Sequence, residues 1–285
     1  MSESFSRFIP NEFLRLLGKQ SVNELRLGDF VEKEMALLFT DIRNFTALSE
    51  SMTTEENFRF LNSFLKRMSP VVENYGGFID KFIGDEIMAI FADSESAVKA
   101  ALEMRIELRA YNNHRKASGY QTIETGIGVH FGRLMMGTVG YDERLQTTVV
   151  GDTVNMASRV QKLTKVFGIS FLMTDAVYKR LKNPENFLLR ELDSVRVRGK
   201  KTPIVLYESF DFDPLLIQQK KSGYSSQFQI ALFQYKAGNF PEALTIFDEC
   251  AAQCAEDPIP PIYAKRCHYL IQNPPRHWTG ISVVK

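Results

Sequence analysis

The stretch Tyr75–Phe91, YGGFIDKFIGDEIMAIF, decides the fold. It reads as two short apolar strands joined at Gly84-Asp85, a β-hairpin. Two features disturb that pattern. Lys81 stands between Ile79 and Ile83 on one strand face, and Asp85-Glu86 places two acids at the bend. An ammonium and carboxylates in an otherwise apolar hairpin call for a reason beyond packing.

On the N-terminal side of the hairpin, Gly76-Gly77 breaks the chain. A helix precedes it. Thr53 or Thr54 can cap that helix, Glu55 and Glu56 favour its first turn, and Phe58, Leu61, Phe64, Leu65 and Met68 recur at helical spacing. Earlier still, MALLFTDI (Met35–Ile42) is a nearly continuous apolar run, the pattern of a buried strand. FLRLLG (Phe13–Gly18) predicts a short helix ending at glycine.

On the C-terminal side, an amphipathic helix is expected from Ser94 to Lys116 through Ala97, Ala101, Met104 and Leu108. ETGIGVHFG and LMMGTVG follow as glycine-punctuated strands, and TTVVGDTVNMASRVQKLTKVFG runs strand, turn, helix. SFLMT, a short helix, FLLRELDSVRV and TPIVLYESF carry the pattern to Phe210. The order strand, helix, strand, strand, helix, strand, with additions, predicts an α+β, ferredoxin-like βαββαβ domain with helices on one face. In the tail, Phe228, Ala231, Leu232 and Tyr235 make one helical stripe, and Ala243, Leu244, Phe247 and Ala251 a second. GNFPEAL between them resembles a tetratricopeptide-type hairpin, but one hairpin is too few for a solenoid. It is expected to pack on the main domain or on a partner.

The 285 residues, 44% of them hydrophobic, suffice for one or two domains. A formal net charge of +1 gives no reason to expect a nucleic-acid partner or an anionic membrane surface. No run approaches the roughly 20 apolar residues of a membrane span, and Met1-Ser2-Glu3 opens no signal-peptide pattern. Cys250, Cys254 and Cys267 form no disulfide framework and no zinc spacing. They are expected to be buried thiols in a reducing cytosol, whether the chain is a free cytoplasmic protein or the cytosolic part of a membrane-associated receptor. His130, among apolar neighbours, reads as structural.

Two acids carry the first hint of chemistry. Asp41 closes the first strand and Asp85 sits at the hairpin bend. In a ferredoxin-like sheet these strands are neighbours, so the carboxylates can converge and hold Mg²⁺, which prefers hard oxygen ligands. Taken alone, both residues would also pass for ordinary strand-end and turn positions.

Four motifs in register go further. FTDIRNFTALSE, DKFIGDEIMAIF, TGIGVHFG and TTVVGDTVNMASRV together resemble the class III nucleotidyl cyclase catalytic domain, over roughly Glu34 to Phe210. No GxxxxGK[ST] phosphate loop is present, as befits a palm-type enzyme that grips triphosphate through metals. The GG[DE]EF signature of diguanylate cyclases is absent too. The resemblance implies three segments: a 1–33 linker or transducer, a 34–210 catalytic domain and a 211–285 helical tail.

It also implies roles. Asp41, Asp85 and the Ile42 carbonyl would bind two Mg²⁺ or Mn²⁺ ions, about 4 Å apart in such two-metal sites. Asn155 would orient the ribose and Arg159 the α-phosphate; the two lie four apart, on one helix face. Lys200 would hold the terminal phosphates, with Arg144 a further phosphate contact. Lys81 and Thr148 would read the base. An ammonium donates to adenine N1 and a threonine hydroxyl accepts from the exocyclic amine, whereas guanine reverses that pattern. Guanylyl cyclases of this family carry glutamate and cysteine at these places, so Lys81 and Thr148 favour ATP. Asp80 and Glu86 receive no catalytic role. Asn44 stands where many members have glycine, a departure expected to matter little.

In this family the site forms between two catalytic domains. One chain here carries both residue sets, so the resemblance implies a homodimer with two equivalent sites. Residues before Glu34 resemble the linkers that join such domains to upstream sensors, and the tail could bind a protein partner. Three other readings stay open: a guanylate cyclase, a silent cyclase-like module that binds nucleotide or a partner, and a tail-based scaffold.

Overall fold

The computed structural model describes residues 9–141, 143–197 and 202–284. It divides into two compact units, Met1–Lys162 and Leu163–Lys285.

The first unit contains α1 (Asn11–Leu16), β1 (Phe30–Ile42), α2 (Phe45–Glu50), α3 (Thr54–Asn74), β2 (Phe78–Ile83), β3 (Glu86–Phe91), α4 (Ser94–Ala117), β4 (Thr125–Tyr141), β5 (Arg144–Val150) and most of α5 (Asp152–Phe167). The sheet order is β2-β3-β1-β4, every pair antiparallel, with β5 folded back onto β4. This is the ferredoxin-like arrangement, built from β1, α3, β2, β3, α4 and β4.

Local chemistry explains the elements. Thr53 and Glu56 form a capping box that starts α3. Asp93 caps α4 by accepting from the Ser96 amide. Gly84 takes φ 65° at the two-residue turn between β2 and β3, a position that favours glycine. Asn44 has φ 56° just before α2. Asparagine tolerates the left-handed region better than other non-glycine residues, so the departure noted in the sequence costs little.

β1 is buried on both faces, which is why its sequence is a continuous apolar run. Met35, Leu37 and Phe39 join Phe78, Met88, Ile90, Leu134 and Met136 in one core layer, together with Phe13 of α1 and Ala157 of α5. Ala36 and Leu38 point the other way and are equally buried, and α4 packs on β1, β3 and β4. The sheet is therefore covered on both faces, not on one. The segment expected to be a linker contributes Phe13 to this core, and β1 begins before the expected boundary at Glu34.

The second unit holds β6 (Phe171–Thr174), α6 (Asp175–Tyr178), β7 (Leu189–Val197), β8 (Ile204–Ser209), α7 (Leu215–Gly223), α8 (Ser225–Ala237), α9 (Phe240–Gln253), α10 (Ile259–Gln272) and β9 (Ser282–Val284). Its strands run β6-β8-β7-β9, with β9 parallel to β7. The expected helical hairpin is α8 and α9, turned at Gly238, where φ is 88°. Phe228, Phe247, Tyr235 and Tyr263 pack ring against ring between the helices. The expected boundary near residue 210 falls inside this unit. Among the described residues, no helix is long and apolar enough to cross a membrane.

Candidate active site

Two pairs of side chains predicted from distant parts of the chain meet in the first unit. Asp41 ends the core stretch of β1, and Asp85 sits in the β2–β3 turn. β1 pairs with β3, which brings the two carboxylates together. They share a hydrogen bond, and the Ile42 amide donates to Asp85 Oδ2 at 3.0 Å. Burial, the hydrogen bond to Asp41 and its charge push Asp85 up to about 7, against the pull of the Ile42 amide. Glu86 is also raised, by burial and by Asp41, with Lys162 opposing.

Carboxylates held this close need positive charge between them, a proton or a hard divalent cation. The donor set fits Mg²⁺ or Mn²⁺: two carboxylates, with the Ile42 carbonyl in the same segment. Among the described residues, no cluster of three or more His, Cys, Asp or Glu side chains forms a closed metal cage. A cation here would keep positions open for phosphate oxygens and water.

The second pair is Lys81 on β2 and Thr148 on β5, 67 residues apart. Lys81 Nζ donates to Thr148 Oγ1 at 2.5 Å. Asp80 pairs in charge with the same ammonium, its Oδ2 3.1 Å from Nζ. The pairing of β2 with β3 slips between Ile79 and Lys81, so Asp80 is the extra residue of a β-bulge. In the sequence Asp80 reads as a partner for a neighbouring cation, with no catalytic role. Its signal was the consecutive Asp80-Lys81 in FIDKFI, which breaks the alternation a plain strand keeps.

Asn155 and Arg159 lie on the exposed side of α5. That helix rests on β4 at two glycines. A Cβ on Gly128 would lie 2.2 Å from the Gln161 backbone nitrogen, and one on Gly132 would lie 2.7 Å from Thr153 Oγ1. Gln161 Nε2 also donates to the Gly126 carbonyl at 3.3 Å. The glycine punctuation of TGIGVHFG thus sets the height of the helix that carries Asn155 and Arg159. Arg144 is exposed at the start of β5. Lys200 lies outside the described residues. His130 is half-buried on β4, and the three cysteines are free and buried.

The family model "Adenylate and Guanylate cyclase catalytic domain" matches residues 31–208. An "Adenylate cyclase" of Anabaena cylindrica is 43% identical over 213 residues, 72% of this chain and 42% of that protein. "Adenylate cyclase, terminal-differentiation specific" of Dictyostelium discoideum is 35% identical over 277 residues, 94% of this chain and 13% of that protein. The crystal structure of the adenylyl cyclase CyaB from P. aeruginosa superposes with a TM-score of 0.58 at 29% identity, covering 64% of this chain and 96% of that one. The chain spans less than half the length of these two curated relatives. A match over more than half of the chain, carrying the strand-end aspartate, the hairpin and the glycine-seated helix in order, settles its descent: the chain belongs to the adenylate and guanylate cyclase catalytic domain family.

Proposed function

We propose that this protein converts ATP to 3′,5′-cyclic AMP and pyrophosphate, at a site completed by a second copy of the chain. The observation that carries the choice of base is the contact between Lys81 Nζ and Thr148 Oγ1. Lys81 offers a donor for adenine N1, and Thr148 keeps acceptor capacity for the exocyclic amine. A site that hydrogen-bonds one base discriminates against another whose donors and acceptors are reversed.

Asp41, Asp85 and the Ile42 carbonyl would hold the divalent cations, two per site in this reading. Mg²⁺ or Mn²⁺ bound there would neutralise the triphosphate and favour the ribose 3′-oxygen as nucleophile. The chain's own residues do the positioning. Asn155 orients the ribose so that its 3′-oxygen lies in line with the α-phosphorus, and Arg159 balances charge on that phosphate as pyrophosphate leaves. Lys200 and Arg144 are assigned to the phosphates.

Shared sites between two copies fit the exposed apolar side chains of the first unit, among them Phe30, Phe82, Ile83 and Val150. A cytoplasmic setting fits three free, buried thiols. In this reading the activating signal arrives through the N-terminal segment or the tail.

The test is product formation from ATP and from GTP, with Mg²⁺ and with Mn²⁺, by wild type and Asp85→Ala. Cyclic AMP from wild type alone, with little cyclic GMP, supports the reading. Dominant cyclic GMP would overturn the base assignment and retain the metal site. No product from a confirmed dimer under any of these conditions would favour a silent nucleotide-binding module.

A further inference from the structure

We propose that Asp80 is a positioning residue for base recognition, fixing Lys81 so that its free N–H points at the adenine. This rests on the reading of Lys81 as the base reader. Three observations carry it. Asp80 is the bulged residue of β2, and bulges re-aim neighbouring side chains. Its carboxylate is closed to solvent, with the side chain 1% exposed. Oδ2 pairs in charge with Lys81 Nζ at 3.1 Å and has no hydrogen-bond partner among the described residues.

Geometry gives the consequence. An ammonium has three donors on a flexible stem. One goes to Thr148 Oγ1 at 2.5 Å, and Asp80 Oδ2 stands 3.1 Å from the same nitrogen as an ion-pair partner. The bond and the ion pair together narrow the directions left to the other donors. Without Asp80 the ammonium would pivot about the Thr148 bond, and its reach toward N1 would be one arrangement among several. Ordering the lysine before nucleotide arrives removes an entropy cost from binding.

The same burial makes the idea separable from stability. A carboxylate closed to solvent is expensive to keep charged, and the Lys81 side chain is 29% exposed, so water can solvate the ammonium that Asp80→Asn leaves and the fold should stay about as stable. A residue retained for structure would show the reverse.

The experiment uses the full chain and four proteins: wild type, Asp80→Asn, Lys81→Met and the double variant. Binding of 3′-deoxy-ATP and 3′-deoxy-GTP, which lack the attacking hydroxyl, is measured by calorimetry, with kcat and KM alongside. Asp80→Asn is expected to weaken adenine binding and raise KM for ATP about tenfold, with kcat nearly unchanged, the mark of lost ground-state binding. The preference for adenine over guanine should fall by about the same factor. In the Lys81→Met background, adding Asp80→Asn should change the preference less than about twofold, because the two act through one contact.

If Lys81→Met erases the preference and Asp80→Asn leaves it intact, the role given to Asp80 is wrong and that of Lys81 stands. If Lys81→Met leaves the preference intact, both fall. If Asp80→Asn does not fold, Asp80→Glu and Asp80→Gln replace it, being equal in size and different in charge. Glu should retain more adenine preference than Gln, and equal preferences would overturn the proposal.

Discussion

Arg190 and Asp257 meet as a bidentate pair, Nη1 2.6 Å from Oδ2 and Nη2 2.8 Å from Oδ1, with both side chains almost closed to solvent. Arg190 Nε also donates to Glu208 at 2.7 Å, Lys221 donates to Glu208 at 2.9 Å, and the Tyr224 hydroxyl donates to Asp257. The cluster ties β7 and β8 to α7 and to the segment before α10. Removing one partner would leave the other charge buried and uncompensated. Asp257→Ala should therefore cost about 3–5 kcal/mol, whereas Arg190→Met combined with Asp257→Leu should cost less than Asp257→Ala alone. Trp278, the one tryptophan, reports on this unit, since its indole donates to the Tyr235 carbonyl at 3.0 Å and packs on Tyr235 and Phe240. Urea melts followed by its fluorescence give the ranking. A double variant no more stable than Asp257→Ala would contradict the argument.

Burial works to raise the Asp257 carboxyl, but the hydrogen bonds and charge of Arg190, with Lys221 and Tyr224, hold it below the ordinary value of 3.8. A carboxyl lowered on folding contributes stability that is full above its unfolded pKa and lost as the pH falls through the folded one. Asp213 opposes this, because burial raises it despite Lys221. Subtracting the stability of Asp257→Asn from that of wild type isolates Asp257. The gap should be constant near neutral pH and shrink below about pH 4. A gap unchanged down to strong acid would show that Asp257 is not the group responsible.

Residues differ in how far the sequence alone announced them. MALLFTDI declared a buried strand, and Thr53 or Thr54 followed by Glu55 and Glu56 declared the start of α3, because each is a local pattern with a local cause. Neighbouring strands made the approach of Asp41 to Asp85 readable from topology. The contact of Lys81 with Thr148 spans 67 residues, has no local signature and entered only through the family resemblance. Asp80-Lys81 breaks the alternation of its strand, but that break alone does not place a bulge, because register belongs to a strand pair, not to one strand. Arg190, Glu208 and Asp257 were invisible for a related reason. Each looks like a common surface charge, and only the packing of the tail on β7 buries them together.

Gly128 sets the seat of α5. An alanine methyl there would lie 2.2 Å from the Gln161 amide nitrogen and 2.5 Å from its Cα, both backbone atoms that cannot rotate away. At Gly132 the nearest atom is the Thr153 hydroxyl, the end of a side chain. Gly128→Ala should therefore destabilise by about 3 kcal/mol or more, the upper range for overpacking, and Gly132→Ala by less. α5 carries Asn155 and Arg159, and a displacement of about 1 Å at a reacting centre can cost on the order of 100-fold in rate. Gly128→Ala protein that remains folded should thus lose turnover steeply. Full activity with normal stability would show that the helix does not need this seat.

The proposed sharing of sites makes a numerical prediction. Asp85→Ala should disable the metal half and Asn155→Ala the ribose half, so each homodimer is inactive. Mixed and allowed to exchange, equal amounts form heterodimers in half of the population. Each heterodimer pairs one doubly damaged site with one intact site. Recovered cyclic AMP synthesis should therefore approach about a quarter of wild type, as two equivalent sites related by a two-fold axis require. Exchange is followed independently with differently tagged chains. Complete exchange without recovered activity would mean that each site is built within one chain, and the dimeric reading would have to be abandoned.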